Sequence, residues 1–248
     1  MPMNGTKEKG VALVTGGAKR VGRAIVLRLA DEGFDIAFTY LTSSTAASEL
    51  CDEIGKKGRS CLAISADLTD SQAAVDAISA QLTAKFGRLD VLVNCASIYQ
   101  PDAAGADATS QMRRLWAIHV ESPLLLSRAF SAMLQAAGGC IINMLDLLAE
   151  RPMPGYLAYC ASKAGLWNLT LGLAREMAPG VRVNGIAPGV VEWPPDLPEA
   201  KREQYLRRVP LGRAGTPDDA AGAVAFLCIE AKYVTGQILR LDGGRSIV

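Results

Sequence analysis

Short apolar runs recur along the chain, and segments with helical spacing separate them. VALV (Val11–Val14), DIAFTY (Asp35–Tyr40), CLAIS, LDVLVNCAS (Leu89–Ser97), CIINM (Cys140–Met144), VRVNGIAPG and QILRLDGG each hold a run with little polar alternation. Such runs suit strands buried on both faces, the pattern of a parallel sheet. Between the first two, AIVLRLADEG sets Ile25, Val26 and Leu29 on one helical stripe and offers Gly33 as a stop. TSSTAASELCDEIGKKG reads as a capped amphipathic helix that ends at Gly55 or Gly58. A longer helical stretch covers 108–137, and Pro123 inside it predicts a bend. TPDDAAGAVAFLC is one more capped helix, and VVEWPPDLPEA is a proline-rich loop. Strand and helix alternate without a linker, a repeat or a low-complexity segment, so residues 1–248 read as one domain. The expected architecture is α/β, a doubly wound parallel sheet of about seven strands with helices on both faces.

Composition excludes several classes of partner. Lys plus Arg total 26 and Asp plus Glu 25, a net charge of +1, so nothing electrostatic favours nucleic acid or an anionic membrane. No apolar run nears the roughly 20 residues that span a bilayer. The opening MPMNGTKEKG lacks the apolar core of a signal peptide. The six cysteines are scattered with no C-x-x-C pair, and there is one histidine. The expectation is a cytoplasmic protein with reduced core thiols and no metal site.

VTGGAKRVG (Val14–Gly22) follows the first run and opens the first helix. Strand, glycine turn and helix in that order begin a Rossmann-type dinucleotide-binding unit. Gly16 and Gly17 let the backbone turn sharply near a ligand, and Gly22 lets helix and strand pack closely. The helix N-terminus, near Arg20 and Val21, offers free N–H groups to a pyrophosphate. NAD enzymes usually place an acid after the second strand to hold the ribose 2′-hydroxyl. Here Tyr40, Leu41, Thr42, Ser43 and Ser44 offer hydroxyls and no acid, with Arg20 nearby, which suits the 2′-phosphate of NADP. The serines equally suit capping of the next helix. Asp67 and Leu68 close the third strand, where the acid serves either an adenine or a helix cap. Asn94, Ala96 and Ser97 end the fourth, small residues that leave room for a cofactor at the sheet's switch point.

Tyr159 and Lys163 stand four residues apart in YCASK, on one helical face. An ammonium beside a phenol stabilises phenolate, so Tyr159 is expected to titrate low and to exchange a proton near neutral pH. VTGGAKRVG, NCAS, Asp146, YCASK and the APG of Ala187–Gly189 come in one order across nearly the whole chain. Together they resemble the short-chain dehydrogenase/reductase family. The resemblance implies that Tyr159 is the acid–base, that Lys163 holds the nicotinamide ribose, and that Pro188, Gly189 and Val190 hold the carboxamide.

Three departures narrow the resemblance. Arg20 replaces the middle glycine of the family's turn, Asp146 replaces its serine, and NNAG appears as NCAS. The pteridine reductases share the arginine and the aspartate and carry a serine at the place of Ser97. Their pterin-stacking aromatic corresponds to Tyr99, and the loop around Trp193 and the segment AKYVTGQILRLDGG are also similar. Two further positions depart from the family: His119 stands at its usual Asn, and no hydroxyl follows the Pro–Gly turn.

The resemblance therefore implies an NADP-dependent reductase of a small molecule, a pterin, with Ser97, Tyr99, Asp146, Tyr159 and Trp193 around the substrate and a substrate loop near 190–212. Leu166, Trp167, Leu169, Leu171 and Leu173 put apolar side chains on more than one helical face, and with the family's habit this implies a homotetramer. Two alternatives stay open. One is a carbonyl reductase, such as a 3-oxoacyl-carrier-protein reductase or a sugar or steroid dehydrogenase, with protonated Asp146 in the serine's place. The other is a nucleotide-sensing module without chemistry. Asp146 also fits a turn or N-cap acid, Tyr99 a rim or core aromatic, and His119 plain packing.

Overall fold

The computed structural model describes residues 10–105, 107–194 and 196–248. The opening segment weighed above as a signal peptide lies, except for Gly10, outside them. Among the described residues β1 (Val11–Val14), β2 (Asp35–Tyr40), β3 (Cys61–Ser65), β4 (Val91–Asn94), β5 (Cys140–Met144), β6 (Arg182–Pro188) and β7 (Ile238–Leu241) form one parallel sheet. Their order is β3-β2-β1-β4-β5-β6-β7, which reverses direction between β1 and β4. The expected sheet is therefore present, with β1, β2 and β5 at the bounds read from the apolar runs.

Alternate side chains of each strand serve opposite faces, because a strand's side-chain period is two. Ala12, Val14, Ile36, Phe38, Val93 and Ile142 pack under α1 (Arg20–Asp31), α2 (Ser44–Lys56) and α9 (Pro217–Ile229). Leu13, Ala37, Leu92, Ile141 and Val183 pack under α3 (Ser71–Lys85), α5 (Ser122–Ala129), α6 (Ser131–Ala137) and α7 (Leu157–Glu176). The inner strands are buried on both faces, which is why they read as unbroken apolar runs, while the edge strands β3 and β7 are partly exposed.

Three local expectations need correction. The stretch 108–137 is not one bent helix: α4 (Asp107–Trp116) passes into a π-helical turn, Ala117–Glu121, before α5 and α6. Pro123, the second residue of α5, has no N–H to return to His119 four residues back, and the wider turn takes up the mismatch. Ser43, at the N-cap of α2, makes no side-chain capping bond, whereas α9 has a full capping box between Thr216 and Asp219. Finally, the cysteines are not all thiols. Cys51 on α2 and Cys61 on β3 are joined in a disulfide with their Cα atoms 5.4 Å apart. The helix packs against the strand that follows it, so two positions ten residues apart in sequence meet. Cys95, Cys140, Cys160 and Cys228 are free.

The glycine turn is packed without slack. Gly16 has φ +68°, and a Cβ there meets the Ala96 Cα at 2.9 Å; a Cβ on Gly22 falls 2.2 Å from the Gly16 carbonyl oxygen. Backbone cannot yield as a flexible side chain can, so Gly22→Ala should cost about 1–3 kcal/mol and lower the thermal midpoint by about 2–4 °C per kcal/mol. Thermal unfolding followed by circular dichroism measures this, and an unchanged midpoint would mean that helix and turn separate freely.

Candidate active site

The carboxyl ends of β1, β4, β5 and β6 carry, in turn, the glycine turn, Cys95–Ser97, Leu145–Asp146 and Gly189–Val190. Buried polar side chains hold these loops in place. Thr15 Oγ1 accepts from the backbone N–H groups of Cys95 (2.9 Å) and Ala96 (3.0 Å), and Thr39 Oγ1 accepts from Gly16 N–H (3.0 Å). Asn94 Nδ2 donates to Asn143 Oδ1 (2.8 Å), and Asn143 Nδ2 to Thr170 (2.9 Å). The sequence reading missed Thr15, Thr39 and Asn143, although a polar residue inside or directly after an apolar strand was the available signal. Asn94, expected at the cofactor, turns its amide into the sheet, and its Oδ1 is buried without a partner.

Helix α7 brings Tyr159 and Lys163 to the same end, both nearly fully buried. The Tyr159 phenol donates to Asp146 Oδ2 at 2.7 Å. Asp146 Oδ1 accepts from Leu148 N–H at 2.8 Å, so the acid holds its turn and the phenol at once. Lys163 Nζ donates to the Met144 carbonyl at 2.8 Å and lies 5.9 Å from the Tyr159 ring centroid.

This arrangement corrects the expectation that Tyr159 titrates low. Burial, then the negative charge of Asp146 and its hydrogen bond, hold the phenol well above its usual range. The carboxylate sits at the phenol oxygen, while the ammonium is committed to a carbonyl beside the ring. Burial also raises Asp146, against the bonds from Leu148 and Tyr159 and the charge of Lys163. Burial pushes Lys163 down to about 8, with Asp146 opposing.

Tyr99 is an aromatic at the rim, 47% exposed. It stacks on Tyr156 (4.8 Å, 14°) and meets Tyr159 edge-on (5.1 Å). Ser97 Oγ bonds His119 Nε2 at 2.9 Å, and His119 Nδ1 bonds Ser162 at 2.8 Å, so the histidine belongs to the site rather than only packing behind it. Burial and the charge of Lys163 lower its pKa well below the usual value, leaving a neutral ring.

Around the groove the other expected residues sort differently. Arg20 pairs with Glu192 of the loop after β6 at 2.7 Å rather than standing free. Asp67 Oδ1 accepts from the backbone and hydroxyl of Thr69 at 2.9 and 2.7 Å, while Asp70 takes the N-cap of α3. Leu68 is a core residue, so its side chain is not open to a ligand. Val21 and Tyr40 also rest partly on the core. Trp193 packs edge-on against Tyr205 of α8 (Glu199–Leu206) at 5.5 Å. Tyr205 was missed in the sequence: its hydroxyl accepts from Val190 N–H at 2.9 Å, while Gly189 N–H bonds the Leu241 carbonyl. Pro188 closes β6 beside this turn.

The groove suits a dinucleotide. The first turn of α1 has no acid and no side-chain cap, which leaves its N–H groups for an anion. Ser43 likewise spends no hydroxyl on capping. A switch-point groove of this kind, with a tyrosine and a lysine on one face of the adjoining helix, defines a nicotinamide-dependent oxidoreductase. Comparison with known proteins specifies the family. The family model described as enoyl-(acyl carrier protein) reductase matches residues 16–246. The 3-oxoacyl-(acyl-carrier-protein) reductase FabG of Staphylococcus aureus is 36% identical over 242 residues, 94% of this chain and 96% of that protein. The 3-oxoacyl-(acyl-carrier-protein) reductase of Synechocystis is 35% identical over 239 residues, again 94% and 96%. Among solved structures, a blue fluorescent protein from a metagenomic library, in complex with NADPH, superposes with a TM-score of 0.89 at 38% identity, covering 96% of this chain and 98% of that one. The chain belongs to the short-chain dehydrogenase/reductase family. On overall similarity it stands with the carbonyl reductases, and a special closeness to pteridine reductases is not shown.

If the Asp146 charge is what holds Tyr159 high, Asp146→Asn should lower the phenol's titration. Ultraviolet phenolate titration, read as the difference from Tyr159→Phe, checks this; an unmoved curve would leave burial as the whole cause.

Proposed function

We propose that the chain is an NADPH-dependent reductase of a pterin, taking a dihydropterin or dihydrofolate to its tetrahydro form. The observation that carries this reading is the 2.7 Å bond between Tyr159 and Asp146. A ketone needs hydrogen-bond donors at its oxygen, and a carboxylate in the serine's place is an acceptor. A pterin instead presents N–H groups that a carboxylate can bind, and a ring C=N whose nitrogen needs a proton. NADPH supplies the hydride when bound. The free N–H groups of α1, Arg20, and the hydroxyls of Thr42, Ser43 and Ser44 hold its phosphates. Ala96, Ser97, Lys163, Pro188, Gly189 and Val190 line its nicotinamide end. Tyr159 passes its proton to the substrate nitrogen, and Asp146 steadies the phenol and binds the substrate edge. Tyr99 covers the flat ring, and Trp193, on the loop after β6, borders it.

The second reading is a ketone reductase acting on a 3-oxoacyl thioester. Overall similarity favours it, since named relatives at 35 and 36% identity are 3-oxoacyl reductases. Burial also raises the Asp146 pKa, and a protonated Asp146 donates a hydrogen bond as the serine would.

Steady-state assays with NADPH against dihydrobiopterin, dihydromonapterin, dihydrofolate and an acetoacetyl thioester separate the two. Turnover of a dihydropterin, abolished in Asp146→Ser, is expected. Thioester turnover without any pterin turnover, kept or raised in Asp146→Ser, establishes the second reading instead. Tyr159→Phe should lower kcat about 10²–10⁴-fold on either substrate.

Lys163 titrates near 8, and its ammonium binds a ribose better than the neutral amine does. NADPH affinity, followed by fluorescence, should therefore hold below that pH and weaken above it. A pH-independent affinity would remove Lys163 from the cofactor site.

We also propose the homotetramer. Met112 and Trp116 on α4 and Leu157 on α7 are exposed. Light scattering on the purified protein should give four chains, and a monomer rejects this part.

A further inference from the structure

His119 lies in the π-helical turn, 1% exposed, between two serines. Its hydrogen bonds can be assigned a direction by counting hydrogens. Ser162 Oγ donates its one hydrogen to the Tyr159 backbone carbonyl at 2.7 Å, and a carbonyl only accepts. Toward His119 Nδ1, 2.8 Å away, Ser162 can therefore only accept. Nδ1 must carry hydrogen, and in a neutral ring Nε2 then carries none. Ser97 Oγ, 2.9 Å from Nε2, must donate to it. The hydrogen of Ser97 is thus spent inside the protein, and its lone pairs are left for the site, where the residue is exposed.

We propose that His119 is a positioning residue that fixes Ser97 as a hydrogen-bond acceptor, so that Ser97 and Asp146 form an acceptor wall that selects substrates offering N–H or O–H groups. This rests on the reading that the Tyr159 site is catalytic, and it deepens the pterin reading by naming what the wall selects. The group resembles a nucleophile, a base and an orienting residue, but a neutral serine stands behind the imidazole where a carboxylate would stabilise imidazolium. Lys163 nearby disfavours imidazolium further. The ring therefore directs a hydrogen bond rather than activating Ser97. The π-helical turn serves this end, because it places the ring between a strand-end loop and the second turn of α7.

The chain has one histidine, so untagged protein labelled with ¹⁵N in histidine alone shows a single imidazole. Long-range ¹⁵N–¹H spectra should report a neutral ring with hydrogen on Nδ1, steady from about pH 6 to about pH 8. Hydrogen on Nε2, or an imidazolium, overturns the proposal. In Ser162→Ala the acceptor for Nδ1 is lost, and the spectrum should move toward the Nε2 form. The KM of a dihydropterin, which offers N–H groups to the wall, should rise about tenfold, with kcat within about threefold. Ser97→Ala should show the same split, and His119→Gln, whose amide both donates and accepts, should retain low KM where His119→Leu does not. Unchanged spectrum and KM in Ser162→Ala overturn the proposal. The spectra are read without substrate, so they stand or fall separately from the choice between pterin and ketone.

Discussion

One buried hydrogen bond, from the Tyr159 phenol to Asp146, ties the chemistry of this protein to its fold. The two residues come from different elements, α7 and the turn after β5, and meet because the first turn of α7 lies at the carboxyl end of β5. Burial makes their contact strong and also keeps the proton on the phenol. A phenol held this way is protonated at rest and donates a hydrogen bond rather than accepting a proton.

The surrounding groove is built from contacts that a cofactor must join or replace. Arg20 bridges to Glu192, and Tyr205 accepts from the Val190 N–H, so the loop after β6 already rests on the glycine turn and on α8. The exposed Arg20–Glu192 pair is worth little by itself, since water screens both charges. Arg20 thereby joins the start of α1 to the loop that carries Trp193. The threonines of β1 and β2, by contrast, are committed to backbone and set the shape of the turn before any ligand arrives.

Global similarity and local chemistry point in different directions here. More than a third of aligned positions match 3-oxoacyl reductases, but most of a Rossmann domain's residues pack a sheet and do not touch a substrate. The positions that line the site are few; among them Asp146 bonds the Tyr159 phenol and Ser97 is bonded to His119. The substrate class depends on the polarity of those few groups.

The sheet was legible from the chain because strands dry on both faces must be apolar at nearly every position, and VALV, DIAFTY and CIINM kept their bounds. The glycine turn and the Tyr159–Lys163 pair were legible because backbone approach and helical spacing constrain residue type at fixed intervals. The π-helical turn at His119, the direction of the Ser97 hydrogen bond, the Cys51–Cys61 pairing and the raised Tyr159 pKa were not legible. Each depends on distances between residues far apart in sequence or on how deeply a group is buried, and neither quantity is written locally. Sequence decided which groups are present and on which strand ends they fall; only the packed structure decided which charge faces which proton, because electrostatics acts through space and through water's exclusion rather than along the chain.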